Sequence, residues 1–452
     1  DYKHFQARTN LQLKADAASY AGWITAENPT SGPYQGTSFV WFPGEEGSVA
    51  VLVIGTGGFG SDTYILSKPG HRRRLQALSR VHRGQVWVKP DLLDLNSEVP
   101  SMVTEQWPAM EAALKSYKHV IYAAVAVTKG DNSGAVEDLV DLFFHEHGVR
   151  TKKTSGERWE QRQQQMLGQI FPQINEEDVS AILTERRFVV LEGPPGTGKT
   201  RLALRVAGPL SGEHPTVVQF HPARTYEDFI VGLAPEPGNA GLSFDARPGD
   251  LLRANRRAAH GSHVLVIDEI NRGDLGRVLG EAIFLFEPAE AQRSVELPYA
   301  VRLEGDTTTT RELKLNPDLM VLGTRNTADR SIARMDLAIR RRFAFISMWP
   351  DLAPVEQEGD GLAQRCFADV INTFTEHADD EGLHLTPGHG YFLDPRPERG
   401  AEGRTDRIAR RIQFEVLPLL RDYVSERLLG PATTEIAGLA DRLEAAVAGR
   451  AE

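Results

Sequence analysis

A single cysteine, Cys366, stands in a chain of 452 residues. That excludes a disulfide framework and any cysteine-built zinc site, and it fits a reducing compartment. No apolar run approaches the roughly 18–20 residues that a helix needs to span a bilayer, so no membrane partner is expected. The opening residues are too polar for a secretory signal, and a cytoplasmic location is expected. The chain opens on Asp1 rather than Met, so a few residues are expected to precede it. Net positive charge is lacking as well, since 62 acidic residues outnumber 51 Lys and Arg for a formal net charge of −11. This argues against a surface coated for indiscriminate DNA binding, while a local basic channel stays open. The rest is ordinary globular composition, 41% apolar and 25% charged, in a length that suits two or three domains.

The pattern divides the chain into four parts. Residues 1–150 read as an α/β unit. Strands are expected at Ser48–Ile54, Tyr64–Leu66, Gln85–Val88 and His119–Val127, and helices at Arg73–Val81, Val103–Ser116 and Val136–His147,. Residues 151–185 read as a polar linker with lead-in helices. Strand and helix signals then alternate over 186–350, as in a parallel sheet with helices on both faces. Residues 351–452 read as a helical lid, with helices near Ala363–Glu376 and Arg407–Leu429.

The chemistry starts at Phe188–Thr200, FVVLEGPPGTGKT. An apolar strand runs into Gly193-Pro194-Pro195-Gly196-Thr197-Gly198-Lys199-Thr200, a full phosphate loop. Its glycines let backbone N–H groups curl around nucleotide phosphates. Lys199 reaches the β/γ oxygens, the Thr200 hydroxyl ligates Mg²⁺, and the following helix points its positive end at the anion. A second apolar strand ends in Asp268-Glu269, where Asp268 is expected to hold the Mg²⁺ shell and Glu269 to polarise the attacking water. A third, LMVLGTRN, ends in Asn326, whose amide can orient that water. Downstream, DLAIRRRF carries Arg341 and Arg342. The bland reading is a solvated basic patch. The mechanistic one sends both arginines into a neighbouring subunit's site to stabilise γ-phosphate charge, which requires an oligomeric ring.

These segments, in this order, resemble the AAA+ class: a P-loop core, a helical lid and, here, an amino-terminal α/β (α+β) specificity domain. Flanking stretches narrow the resemblance. They are QFHPARTYEDFIVGL (Gln219–Leu233), GLSFDARPGDLLRANRRA (Gly241–Ala258), DEINRGDLGRVLGEAIFLFEP from Asp268, RNTADRS (Arg325–Ser331) and LTPGHGYF (Leu385–Phe392). Over about residues 185–430 the chain is similar to the McrB family, the motor subunits of modification-dependent McrBC restriction systems. Arg325 stands where that family often has Met, with little consequence expected.

The resemblance implies a ring, expected to be a hexamer, that hydrolyses ATP or GTP with Mg²⁺; ATP is the default. It implies a separate McrC-like nuclease partner and DNA, possibly modified, as the target of the amino-terminal domain. Asn326, Asp329 and Arg330 would then form the loop that couples hydrolysis to a partner. Tyr226, Glu227 and Asp228 would shape a subunit-facing segment, or simply be a polar turn with a helix cap. His389 would sense the nucleotide from the lid or pack beneath it. The hairpin expected over Val295–Leu315, with its tip at Gly305–Thr310, would face a pore or partner or be plain surface. The alternative from a different class is a MoxR-like AAA+ chaperone that remodels protein complexes without DNA.

In the first 150 residues Gly55, Gly57 and Gly60 form G-x-G-x-x-G after a strand. A dinucleotide site needs a helix next, whereas SDTYILSKPG reads as a strand, so a glycine-rich loop between strands is expected. His71-Arg72-Arg73-Arg74, with Arg80, Arg83 and Lys89, is the one basic concentration. Trp23, Trp41, Phe42 and Trp87 could stack on a flipped or modified base, or be core. Nucleic-acid and protein recognition both stand. Glu111–Lys115 does not make a nuclease signature.

Overall fold

The computed structural model describes residues 5–10, 19–29, 33–43, 47–94, 96, 117–131, 133–149, 153–212, 214–238, 241–287, 292–303, 307–329 and 337–449. Contacts divide the chain into two units. The first comprises residues 1–172, 372–380 and 430–432, and the second comprises 173–371, 381–429 and 433–452.

Period-2 alternation builds the first unit. In β3 (Thr37–Pro43) Val40 and Phe42 fall on one face and Phe39 on the other,. Strands β1 (Phe5–Asn10), β2 (Tyr20–Thr25), β3, β4 (Gly47–Ile54), β5 (Val86–Val88) and β6 (Ile121–Thr128) form a sheet of order β1-β2-β3-β4-β6-β5. Every pairing in it is antiparallel. Helices Pro69–Val81, Ala135–Glu146 and Lys153–Ile170 pack Leu75, Leu78, Leu142, Phe143 and Met166 against Phe39, Leu52 and Val125 on one face. Each fully buried leucine there contributes about 2 kcal/mol. The other face carries Phe42, Val49, Val51, Val53 and Ile121.

The strand expected at Tyr64–Leu66 is instead a helix, Thr63–Ser67. Lys68 then turns extended, and Pro69 sits at the first positions of the next helix, where its fixed φ and missing N–H are tolerated,. The glycine-rich segment therefore joins a strand to a helix rather than two strands. It is no dinucleotide cradle, because its N–H groups are spent: Gly55 donates to Gly36 O and Gly57 to Tyr34 O, both at 2.7 Å. The sheet is also antiparallel, without the βαβ unit that such a site requires. The helix expected at Val103–Ser116, with Glu111–Lys115 inside it, lies outside the described residues.

The second unit is a parallel five-stranded sheet of order β15-β7-β14-β11-β8. Its strands are β7 (Phe188–Gly193), β8 (Thr216–Gln219), β11 (His263–Asp268), β14 (Leu319–Asn326) and β15 (Ala344–Ser347). The central strands β7, β14 and β11 are apolar over most of their length because both faces are covered,. Phe188, Val190 and Leu265 belong to one core, and Val189, Leu191 and Val266 to the other. Two hairpins accompany the sheet. The pairing of β9 (Val231–Gly238) with β10 (Gly241–Pro248) was not foreseen in the sequence. The pairing of β12 (Val295–Val301) with β13 (Thr310–Leu313) matches the expected one, and Leu297, Val301 and Leu313 anchor it in the core; residues 304–306 of its tip lie outside the described residues.

Helices follow in the carboxy-terminal region: Gly361–His377, whose residues from 372 count with the first unit, Arg404–Arg411, Leu417–Ser425 and Thr433–Ala448. A π turn at Ile412–Val416 joins the middle two. Pro418 has no N–H to continue an α-helical ladder, and the wider turn before it absorbs the gap. Among the described residues, no helix is long and apolar enough to cross a membrane.

Candidate functional site: a phosphate loop over paired carboxylates

Strand β7 ends in the loop Gly193–Gly198, and the helix Lys199–Leu210 begins directly after it. Gly196 and Gly198 have φ of +78° and +79°, left-handed values that a side chain would strain,. Lys199 folds back, its Nζ donating to Gly193 O at 3.0 Å and Pro194 O at 2.6 Å. Burial lowers its pKa to about 8, against the opposing pull of Glu269 and Asp268. Thr197 Oγ1 lies at 3.5 Å as well, and an ammonium held by neutral oxygens is a cation set up for an anion.

Beneath the loop, hydroxyls and carboxylates form one chain of hydrogen bonds. Thr200 Oγ1 donates to Asp268 Oδ1 at 2.7 Å, and Thr324 Oγ1 donates to the same oxygen at 2.6 Å. The Glu269 N–H donates to Thr324 Oγ1 at 3.1 Å. That bond sits beside a φ of +53° at Glu269, uncommon for a residue with a side chain,. Burial raises the pKa of the Glu269 carboxyl, with Arg272 the largest opposing influence. Arg272 Nε lies 3.5 Å from Glu269, and its Nη2 lies 3.4 Å from Asp329. Asn326 pairs in register with Gly193 across β14 and β7, and Thr327 N donates to Gly193 O at 3.1 Å.

The structure thus brings Gly193–Thr200, Asp268, Glu269, Asn326 and Asp329 to one end of the parallel sheet, where strands of such sheets present their ligands. The Thr200 hydroxyl and Asp268 carboxylate, within hydrogen-bonding distance of each other, are hard oxygen donors of the kind Mg²⁺ takes,. Arg341 is exposed, whereas Arg342 is 7% exposed. Arg330 lies outside the described residues.

A carboxy-terminal segment, Gly388–Gly390, lies directly on the loop. Gly388 N donates to Pro195 O and Gly390 N to Gly196 O, both at 2.8 Å. Arg411 Nη1 holds this strap through Gly390 O at 2.6 Å. His389 Nδ1 accepts from Asp351 N at 3.2 Å, which leaves the proton of the neutral ring on Nε2,. Tyr226, Glu227 and Asp228 sit in a capping box closed by Thr225, the polar-turn reading of that segment. Arg325, the departure from the family pattern, faces Glu192 at 3.3 Å. Thr324, Arg272 and Arg411 were missed in the sequence. A Thr inside an apolar strand and lone arginines carry no signal until the strands are assembled.

Residues 188–343 match the AAA domain family, dynein-related subfamily. The chain carries an AAA+ module and is McrB-like. It is 26% identical over 357 residues to the type IV methyl-directed restriction enzyme EcoKMcrB subunit of Escherichia coli K12, covering 73% of this chain and 75% of that protein. It is also 26% identical over 192 residues to the type II restriction enzyme BsuMI component YdiS of Bacillus subtilis 168. That match spans 34% of this chain and about half (55%) of that protein's length. NtrX from Brucella abortus in complex with ATP is 12% identical, covers 70% of this chain and 81% of that one, and has a TM-score of 0.28, a likeness that carries no argument. Nucleoside-triphosphate hydrolysis is the activity that the AAA+ module and the E. coli relative support.

The basic run of the first unit is not a surface patch. Arg73 is 8% exposed and donates to Thr375 O at 2.6 Å and Ala378 O at 2.9 Å. Arg74 pairs with Glu146 at 2.7 Å and with Glu376, and His71 lies 3.2 Å from Glu146. Lys89 is buried against the carbonyls of Asp94 and His119. Arg72 and Arg83 stay exposed. Of the aromatics, Phe42 is core, Trp23 and Trp87 are half-buried, and Trp41 is exposed.

Proposed function

We propose that this chain is the NTPase motor of a McrBC-like restriction or anti-phage system. It assembles as a ring, a hexamer by resemblance, and hydrolyses ATP or GTP between subunits. Hydrolysis drives DNA translocation and activates a separate McrC-like nuclease. The observation that carries this reading is the hydrogen-bonded chain Thr200–Asp268–Thr324–Glu269 under a complete phosphate loop. That two relatives are restriction-enzyme components supports restriction as the setting.

The residues divide the work. Lys199 turns from its carbonyls to the β/γ oxygens, and the N–H groups of Gly196–Thr200 cradle the phosphates. Mg²⁺, held by Thr200 and Asp268, would offset phosphate charge. Glu269 accepts a proton from the attacking water, which Asn326 orients. Arg341 of a neighbouring subunit steadies charge on the γ-phosphate. Asp329, bridged to Glu269 through Arg272, and Arg330 beside it form the path by which a partner influences hydrolysis. The amino-terminal domain, about residues 1–150, selects the target DNA.

Hydrolysis of ATP and GTP by wild type and Glu269→Gln, with and without DNA and the nuclease partner, tests this. Wild type should turn over one or both nucleotides faster with DNA and partner. Glu269→Gln should bind nucleotide normally, assemble, and lose about 10²–10⁴-fold in rate, the range of a general base. Undiminished turnover in the variant would remove Glu269 from its role. Indifference to DNA alongside stimulation by a protein complex would favour a remodelling chaperone.

A further inference from the structure

Glu269, the residue given the general-base role, stands on an uncommon turn of the backbone. Its φ of +53° and ψ of +46° are left-handed, a conformation in which the β-carbon of an L-residue crowds the carbonyl oxygen,. Contacts of the carboxyl do not account for it. Glu269 Oε2 is buried without a hydrogen bond, and Arg272 Nε stands off at 3.5 Å. The turn must be held through the backbone.

Two consecutive residues of β14 do this. The ladder between β11 and β14 ends at Ile267 opposite Gly323. A β-carbon on Gly323 would lie 3.1 Å from Ile270 Cδ1, tighter than ordinary contact. The glycine therefore makes room for Ile270 to enter the core directly after the turn,. Thr324, 2% exposed, comes next and takes the Glu269 N–H on its Oγ1 at 3.1 Å. An N–H can only donate, so the hydroxyl accepts there and has a single proton left to give. That proton goes to Asp268 Oδ1 at 2.6 Å. One buried hydroxyl thus fixes the backbone of Glu269 and the side chain of Asp268 together.

We propose that Thr324 is a positioning residue for hydrolysis, whose hydroxyl holds Glu269 in its left-handed turn and so sets where the carboxyl meets the attacking water. It acts through Glu269 rather than on the nucleotide. The role rests on the NTPase reading of the site.

Single-turnover hydrolysis by the full chain, with the nucleotide, DNA and partner that give wild-type activity, tests this. Thr324→Val keeps the branched shape and deletes the hydroxyl. It should slow hydrolysis about 10²-fold, the scale of a misplaced reacting group, with nucleotide affinity unchanged. Thr324→Ser keeps the hydroxyl and should restore most of the rate. The deciding comparison places Thr324→Val in the Glu269→Gln background. A residue that works only through Glu269 adds no further loss there. A merely structural threonine, or one with its own contact to the nucleotide, slows the double variant again. Should melting show that Thr324→Val does not fold, Thr324→Ala carries the same expectations without the bulk of a second methyl. Undiminished hydrolysis in the folded variant, no rescue by serine, or additive losses in the double variant overturns the proposal. Wild-type hydrolysis that Glu269→Gln abolishes leaves the NTPase reading standing in each of those cases. A wild-type chain that hydrolyses nothing overturns both.

Discussion

The phosphate loop of the second unit and the basic run of the first both set cations near the start of a helix, Lys199 in one and His71 to Arg74 in the other. Positive charge there opposes the helix dipole, so each needs an anion. In the basic run the chain supplies it. Glu146, with its side chain 3% exposed, lies against His71 and Arg74, and their charge holds its carboxyl well below the usual range despite burial. At the phosphate loop neutral oxygens hold the ammonium, two carbonyls and the Thr197 hydroxyl, and its pKa falls to about 8. The run that answers its own charge is architecture, and the one that leaves its charge unanswered is a site.

The widest break in that comparison concerns Arg341, a cation proposed to find its anion in another subunit. Arg341 is exposed and Arg342 buried in the same turn. Arg341→Ala should cost about 10³–10⁵-fold in hydrolysis, the range for arginine fingers. Mixing it with Lys199→Ala should restore part of the activity at mixed interfaces. Hydrolysis that survives Arg341→Ala, or shows no rescue at any ratio, removes the residue from a shared site.

The nucleotide machinery was legible because its signals are local. GPPGTGKT and VLVIDE each carry their chemistry within a few residues of a strand end. What failed depended on neighbours distant in sequence. FQARTN and YAGWIT mix polar and apolar residues as half-exposed strands do, and only their mutual register makes them β1 and β2. TYIL in Thr63–Ser67 has the β-branched and aromatic residues of a strand. Its helix is anchored from outside, where Asp62 accepts from Thr37 N and Oγ1 at 2.6 and 2.9 Å. The basic run looked like a surface because Glu146 and Glu376 lie far along the chain.

Glu146→Gln sharpens the architectural side. Removing one member of a buried ion pair should cost about 3 kcal/mol in urea unfolding, whereas Arg72→Ala, in the same run but exposed, should stay within about 0.5 kcal/mol. The folded pKa of Glu146 is depressed. Its stabilisation is therefore fully present above the ordinary carboxylate pKa and lost as pH falls through the lower, folded value,. Equal effects of the two substitutions would mean that the pairing around Glu146 is not what holds this run.

The smallest and most direct effect is on the functional side. With a folded pKa of about 8, Lys199 carries its proton in the nucleotide-free protein below that pH and has lost it well above. A triphosphate requires the cation, so binding above pH 8 must take up a proton, and affinity should fall by up to about tenfold per pH unit. Below pH 8 this group leaves affinity flat. The stability of the empty chain runs the other way. An unfolded lysine keeps its proton to about pH 10.4, so between about 8 and 10.4 the unfolded state binds more protons and this group makes folding more favourable as pH rises. Glu269→Gln removes a carboxylate that holds the ammonium's pKa up, so the break in affinity should move to lower pH. Nucleotide affinity followed from pH 6.5 to 9.5 (about three units around the value) reads both effects. A break that stays in place in Glu269→Gln would show that the two side chains do not share one site.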